Sequence, residues 1–275
     1  MLQTMRRCIP LIAVLFLALN GVAQAFDKSP TVATRNNTYQ LVDAKARQAW
    51  MSAIGNDQAA RLKSLLELHE PAQLLAITAS NGKSALMVAA KLGELPLVIS
   101  LVDAGARVND TTQTNGTAFM FAVLGNQKKT AQWLMNRNAD IHVIGSNGWN
   151  ALSIAAAKGY VDLLQWLIVE HADAQLRDVY WFTPLMRAVE NNHDEVASVL
   201  LELPNTDVNV QDEFGNTSLH HAVSADNAAM VELLLQHGAD TNIRNRNGSV
   251  AAMLADDKPD MQSLLRKAEH LSGRH

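Results

Sequence analysis

Residues 183–204 read TPLMRAVENNHDEVASVLLELP, and the architecture follows from this stretch. Thr183 has a side chain that can satisfy the free backbone N–H groups at a helix start. Pro184 follows at the first helical position, where its missing N–H costs nothing. Leu185 and Ala188 then fall on one helical face, and Asn192 tolerates the left-handed turn that ends a helix. A second apolar stretch carries Leu200 and Leu201 and stops at Pro204. The segment predicts two short helices folded back on each other.

The unit recurs outward in both directions. The apolar residue that opens the first helix is Leu86, Phe119, Leu152, Leu185 and Leu219, at spacings of 33, 33, 33 and 34. Three residues after each comes Ala89, Ala122, Ala155, Ala188 or Ala222, and fifteen after each comes Leu101, Leu134, Leu167, Leu200 or Leu234. Two residues before each stands an N-cap: Ser84, Thr117, Asn150, Thr183 or Thr217. Gly93, Asn126, Gly159, Asn192 and Asp226 end the first helix, and an extended tip closes the cycle. Agreement at three offsets over five registers predicts an array in which each unit buries its apolar face against its neighbours.

This pattern resembles the ankyrin repeat, whose units run turn, G-x-T-P-L, A-A, G, L-L, G-A-D and N. Thr183-Pro184-Leu185 and Gly238-Ala239-Asp240-Thr241-Asn242 carry the closest matches, and the similarity extends over residues 47–268. The resemblance implies an all-α ankyrin repeat solenoid of about seven helix-turn-helix units, five regular and two capping, with extended hairpin-like tips. The cap before the array is marked by Trp50, Ala53 and Leu65-Leu66, and the cap after it by Val250-Ala251-Ala252 and Leu264-Leu265. The family's histidine after T-P-L survives only as His220, with Met87, Met120, Ser153 and Met186 at the other registers. Trp181 stands where the pattern has glycine, a site that can demand positive φ and so predicts a remodelled turn.

Residues 1–25 read as a signal peptide: Arg6-Arg7, an apolar run from Cys8 to Leu19, and a Val22-Ala23-Gln24-Ala25 ending. Residues 26–39 read as a flexible leader and 40–275 as the repeat domain. Cleavage after Ala25 leaves 21 basic residues against 27 acidic ones and removes the single cysteine, Cys8. A chain without thiols suits an oxidising compartment, and the expectation is export to a bacterial periplasm. The charge balance gives no reason to expect nucleic acid or an anionic membrane as partner. Five N-x-[ST] sequons begin at Asn36, Asn109, Asn115, Asn216 and Asn247, and they read as turn chemistry.

No nucleophile elbow, phosphate loop or H-E-x-x-H motif is present, so the chain is expected to be no enzyme and to hold no cofactor or metal. A hydrolase or metal carrier built on His220 and His221 is the remote alternative. Adjacent helical side chains diverge by about 100°, which argues against one ion binding both. The Met87, Met120, Met186 and Met253 stripe reads as packing between units, as do Trp133 and Trp166 on the second helices.

The resemblance leaves two sets of positions free of packing, the tips and the exposed side of the first helix, which together line a concave groove. There the sequence places Lys91 and Leu92, Leu124, Trp149 and Lys158, Tyr180, Phe182 and Glu190, then Glu213 and Phe214, with Trp181 beside them. Five rings in one neighbourhood, of 13 aromatics in the mature chain, predict a docking rim for another protein. Neutralisation of a toxin and support of a periplasmic enzyme, such as a peroxide-removing catalase, both need only such a groove. Monomer and homodimer stay equally open.

Overall fold

A computed structural model describes residues 43–255 and 258–272, so the signal peptide and leader read from the sequence lie outside the described residues. The described chain is a stack of helix pairs: α1 (Ala44–Gly55) with α2 (Ala59–Leu68), followed by the short α3 (Pro71–Leu75); then α4 (Ala85–Leu92) with α5 (Leu95–Asp103). Next come α6 (Ala118–Leu124) with α7 (Lys128–Met135) and α8 (Ala151–Lys158) with α9 (Val161–Val169). The last regular pairs are α10 (Pro184–Glu190) with α11 (Asp194–Leu201) and α12 (Ser218–Ser224) with α13 (Ala228–Gln236). A 3₁₀ turn (Ala251–Ala255) and α14 (Pro259–Ser272) end it. Among the described residues there is no β-strand, only an isolated bridge between Thr111 and Thr117, and no helix long and apolar enough to cross a membrane.

The helix boundaries follow the local chemistry. Ser84, Thr117, Asn150 and Thr183 each accept the backbone N–H of the residue three further on, at 2.8–3.3 Å. At the fifth cap the Thr217 hydroxyl and N–H both donate to Nδ1 of His220, at 2.9 and 3.2 Å. Its Nε2–H then donates to the Ser249 carbonyl at 3.1 Å, tying the fifth unit to the end cap. Where Met87 replaces that histidine, its sulfur accepts the Ser84 N–H at 3.4 Å, a weaker substitute. The five first helices end at left-handed residues: Gly93, Asn126, Gly159, Asn192 and Asp226 have φ between 58° and 73°.

The core is continuous along the stack. The five repeat alanines, Ala89, Ala122, Ala155, Ala188 and Ala222, have no exposed surface, and Leu101, Leu134, Leu167, Leu200 and Leu234 fill the space behind them. Met87, Met120 and Met186 are buried as expected, whereas Met253 is exposed because the end cap has a 3₁₀ turn at that register. Trp133 and Trp166 rest on the core but are half-buried. Trp133 lies under the Arg137 guanidinium at 4.7 Å, and the Trp166 indole donates to Glu170 at 3.0 Å. Both rings therefore straddle the core and solvent, with their polar contacts directed outward.

The tips form a ladder of single bonds. Gln113, Ser146, Val179, Glu213 and Arg246 donate backbone N–H groups to Asn81, Thr114, Asn147, Tyr180 and Phe214 at 2.9–3.1 Å. Packing between first helices leaves no spare volume: a Cβ on Gly125 would collide with the Lys91 carbonyl of the preceding unit. Gly125→Ala is expected to cost about 1–3 kcal/mol through overpacking, read as a lower urea midpoint at unchanged slope.

Candidate binding site at the repeat tips

Side-chain direction alternates through each tip, and this sorts the expected rim residues. The register three before the helix anchor turns inward, so Lys83, Trp149 and Phe182 are all buried. Trp149 and Phe182 are thus corrected from rim to interior: the returning limb of the hairpin drives their rings onto the floor of the groove. The turn positions point outward, leaving Tyr180 at 38%, Trp181 at 50% and Phe214 at 61% exposure, with Val179 at 52% beside them. The Trp181 ring extends along the ladder to within 6.0 Å of the Arg246 guanidinium, two tips further on. Three exposed rings on two adjacent tips remain.

The expected remodelling at Trp181 does not occur. Its φ is 65°, matching the left-handed turn of Gly82, Asn115, Gly148, Gly215 and Gly248 at the same register. Its N–H donates to the Asp178 carbonyl at 2.9 Å, as the corresponding residues do in the other tips. Non-glycine residues pay about 1 kcal/mol or more for this conformation, and tryptophan has no side-chain acceptor to offset it.

Beneath the rings lies a buried polar floor that was not singled out from the sequence. Asp178 and Arg187 are both about 2% exposed and form an ion pair through Arg187 Nε at 2.9 Å and Nη2. The guanidinium lies 4.1 Å from the Phe182 ring and 5.2 Å from the Trp149 ring, and its Nη1 binds Glu190 at 2.8 Å. The Trp149 indole N–H donates to Asp178 Oδ2 at 3.0 Å. One unit on, Asp212 is fully buried and accepts Nε2 of His221 at 2.9 Å, whose ring sits 5.0 Å from Phe182. The signal was available: an aspartate seven residues before the anchor and a cationic or titratable residue two after it, in both the fourth and fifth units.

The remaining groove residues divide by position. Lys91 is taken by Asp57 at 2.8 Å, and the buried Lys83 binds the same carboxylate at 2.9 Å. Leu92 is exposed at 40%, while Lys158 and Glu213 are half-buried. Leu124 lines an apolar cleft of about 70 Å³ with Thr114, Met120, Phe121, Trp149 and Ile154, between the second and third tips. His220 and His221 bind different partners, Ser249 and Asp212. Among the described residues no three His, Cys, Asp or Glu side chains converge as a metal site.

With fold and site in place, comparison with known proteins assigns the family. A family model described as ankyrin repeats (3 copies) matches residues 50–144, 119–212, 152–245 and 185–270, and the chain belongs to the ankyrin repeat family. Alpha-latrotoxin-Lg1a of Latrodectus geometricus is 30% identical over 131 residues, covering 47% of this chain and 10% of that protein. The human transient receptor potential cation channel subfamily A member 1 is 30% identical over 132 residues, covering 47% and 12%. Mouse Inversin is 28% identical over 185 residues, covering 66% and 17%. The chain thus spans under a fifth of the length of each of these relatives. The human ASB11 ankyrin repeat domain superposes with a TM-score of 0.69 at 22% identity, covering 80% of this chain and 96% of that one, a likeness of fold.

The buried titratable groups set an acid response. Burial holds the His220 pKa below its ordinary 6.5, so the unfolded chain takes up a proton that the folded one refuses. Burial alone would raise the Asp212 carboxyl, but the His221 hydrogen bond and the N–H groups of Asn216 and Phe214 outweigh it and leave the pKa below 3.8. Asp57 is lowered against the same opposition by Lys91 and Lys83. All three contributions are full above the unfolded values and lost as pH falls. Urea unfolding from pH 8 to 3 should therefore weaken in two steps, below about 6.5 and below about 4. His220→Gln should flatten the first step, and Asp212→Asn should shrink the second to the share contributed by Asp57.

Proposed function

We propose that this protein is an ankyrin scaffold that captures another protein through Tyr180, Trp181 and Phe214 at its tips and the apolar cleft of its groove. The single observation that carries the reading is Trp181, a bulky ring kept at φ 65° where glycine would relieve the strain, and held half in solvent. Strain retained at an exposed site points to use, and tryptophan and tyrosine are the residues on which interface energy concentrates. The scaffold contributes stiffness: rings fixed before contact lose little freedom on binding.

The signal-like start, residues 1–25, and the thiol-free remainder support a periplasmic location. The use that fits best is neutralisation of a toxin in that compartment, because pre-set rings favour tight one-to-one capture. Mass spectrometry of protein recovered from a periplasmic fraction should find a chain beginning at Phe26; a chain retaining residues 1–25 there would refute the export reading. Deletion from a producing strain should sensitise neighbouring cells of that strain to each other, whereas loss of peroxide removal instead would point to enzyme support.

Trp181→Gly separates stability from binding. It is expected to raise the unfolding free energy by about 1 kcal/mol while weakening the captured complex. Tyr180→Ala with Phe214→Ala should weaken that complex more than ~100-fold at unchanged helicity, measured by isothermal calorimetry and circular dichroism. Unchanged affinity in both variants would overturn the site.

A further inference from the structure

We propose that Asp178 and Arg187 are positioning residues of the rim: a carboxylate held from the groove floor fixes the turn that displays Tyr180 and Trp181. This rests on the docking reading for its purpose, though not for its mechanics. Three consecutive peptide N–H groups converge on Asp178. Those of Tyr180 and Phe182 reach Oδ1 at 2.9 and 3.0 Å, and that of Trp181 reaches the main-chain carbonyl at 2.9 Å. The left-handed residue is therefore bracketed on both sides by bonds to one carboxylate, which is what holds tryptophan in a conformation it otherwise avoids.

A carboxylate so deeply buried needs a counter-charge, and its second oxygen receives the Arg187 guanidinium and the Trp149 indole N–H. Arg187 is itself fixed by Glu190 and lies against the rings of Trp149 and Phe182. The chain of support thus runs from α10 through the ion pair to the exposed ring. An internal comparison supports the assignment. At the register of Asp178 the other tips carry Ala79, Thr112, Gly145, Asp212 and Asn245. The only other aspartate, Asp212, lies under the other ring-bearing tip. Its Oδ1 accepts the N–H groups of Phe214 and Asn216, and its Oδ2 accepts His221 from the floor. Carboxylates braced from the first helix occur beneath the two tips that expose rings.

The full chain labelled with 5-fluorotryptophan tests this by fluorine NMR, with Trp181 assigned from a Trp181→Phe sample. In Asp178→Ala, where Glu190 still holds the Arg187 charge, the Trp181 resonance should move toward its unfolded position and narrow at least ~2-fold as the ring gains nanosecond freedom. Arg187→Gln should do the same, and Asp178→Asn, which keeps the acceptor, should restore the wild-type signal. Trp50, Trp133 and Trp166 should not move. A Trp181 signal unchanged in both Asp178→Ala and Arg187→Gln overturns the proposal. If neither variant folds, hydrogen exchange of the wild-type chain decides. The amides of Tyr180, Trp181 and Phe182 should exchange at least ~10-fold more slowly than those of Asn147, Gly148 and Trp149, whose tip lacks a carboxylate. Equal rates overturn the proposal. A released ring with undiminished capture of the partner would leave the clamp standing and sink the docking reading.

Discussion

Each unit of this protein can bury its apolar face only against the next one, and everything else depends on that nearest-neighbour contact. The contact is close because the facing residue is alanine in all five regular units and because Gly125 brings a helix end against the Lys91 carbonyl. Small residues at the seam place the first helices side by side, which lines up the tips and lets each donate one backbone bond to the one before. The groove is therefore a by-product of seam packing. Its floor is the row of first helices and its rim is the row of tips.

Such a scaffold leaves few positions at liberty. The inward register of each tip is committed to the floor, which is why Trp149 and Phe182 serve as packing around Arg187. The outward turn is free, and there the chain carries rings in the fourth and fifth units and small polar residues elsewhere. Burial of an ion pair between two aromatic rings gains little stability in itself, since desolvation offsets most of the attraction. Its value lies in fixing one geometry for the loop above it.

The fold was legible in the sequence because repetition amplifies weak preferences: one alanine, or one residue that tolerates a left-handed turn, says little, but five of each at a fixed interval define a helix and its end. The site was half legible. Composition revealed that Tyr180, Trp181 and Phe214 lie on tips, yet nothing in residue type tells a ring at the turn from one on the returning limb. Only the hairpin's alternation sends Phe182 inward and Trp181 outward. The left-handed turn at Trp181 was anticipated from the displaced glycine, but the local cost suggested that the backbone would yield. It did not, because the ladder and Asp178 over-determine it. Asp178 with Arg187, and Asp212 with His221, share a nine-residue spacing that becomes visible once the repeat register is known.

The two ends of the stack are fastened differently. At the first, Asp57 grips two lysines of the following unit, Lys83 deep inside and Lys91 at the groove, so the leading cap is latched by charge as well as by apolar contact. At the other, the closing cap opens with a 3₁₀ turn in place of a regular first helix, leaves Met253 exposed, and is held by the Arg246 ladder bond, by His220 and by Lys258, whose ammonium lies 3.5 Å from the exposed Asp226. Heat or a pulling force applied along the axis would accordingly peel the molecule from its carboxyl-terminal side, and the ring-bearing units, lying nearest that loose margin, would be the first regular ones to come undone.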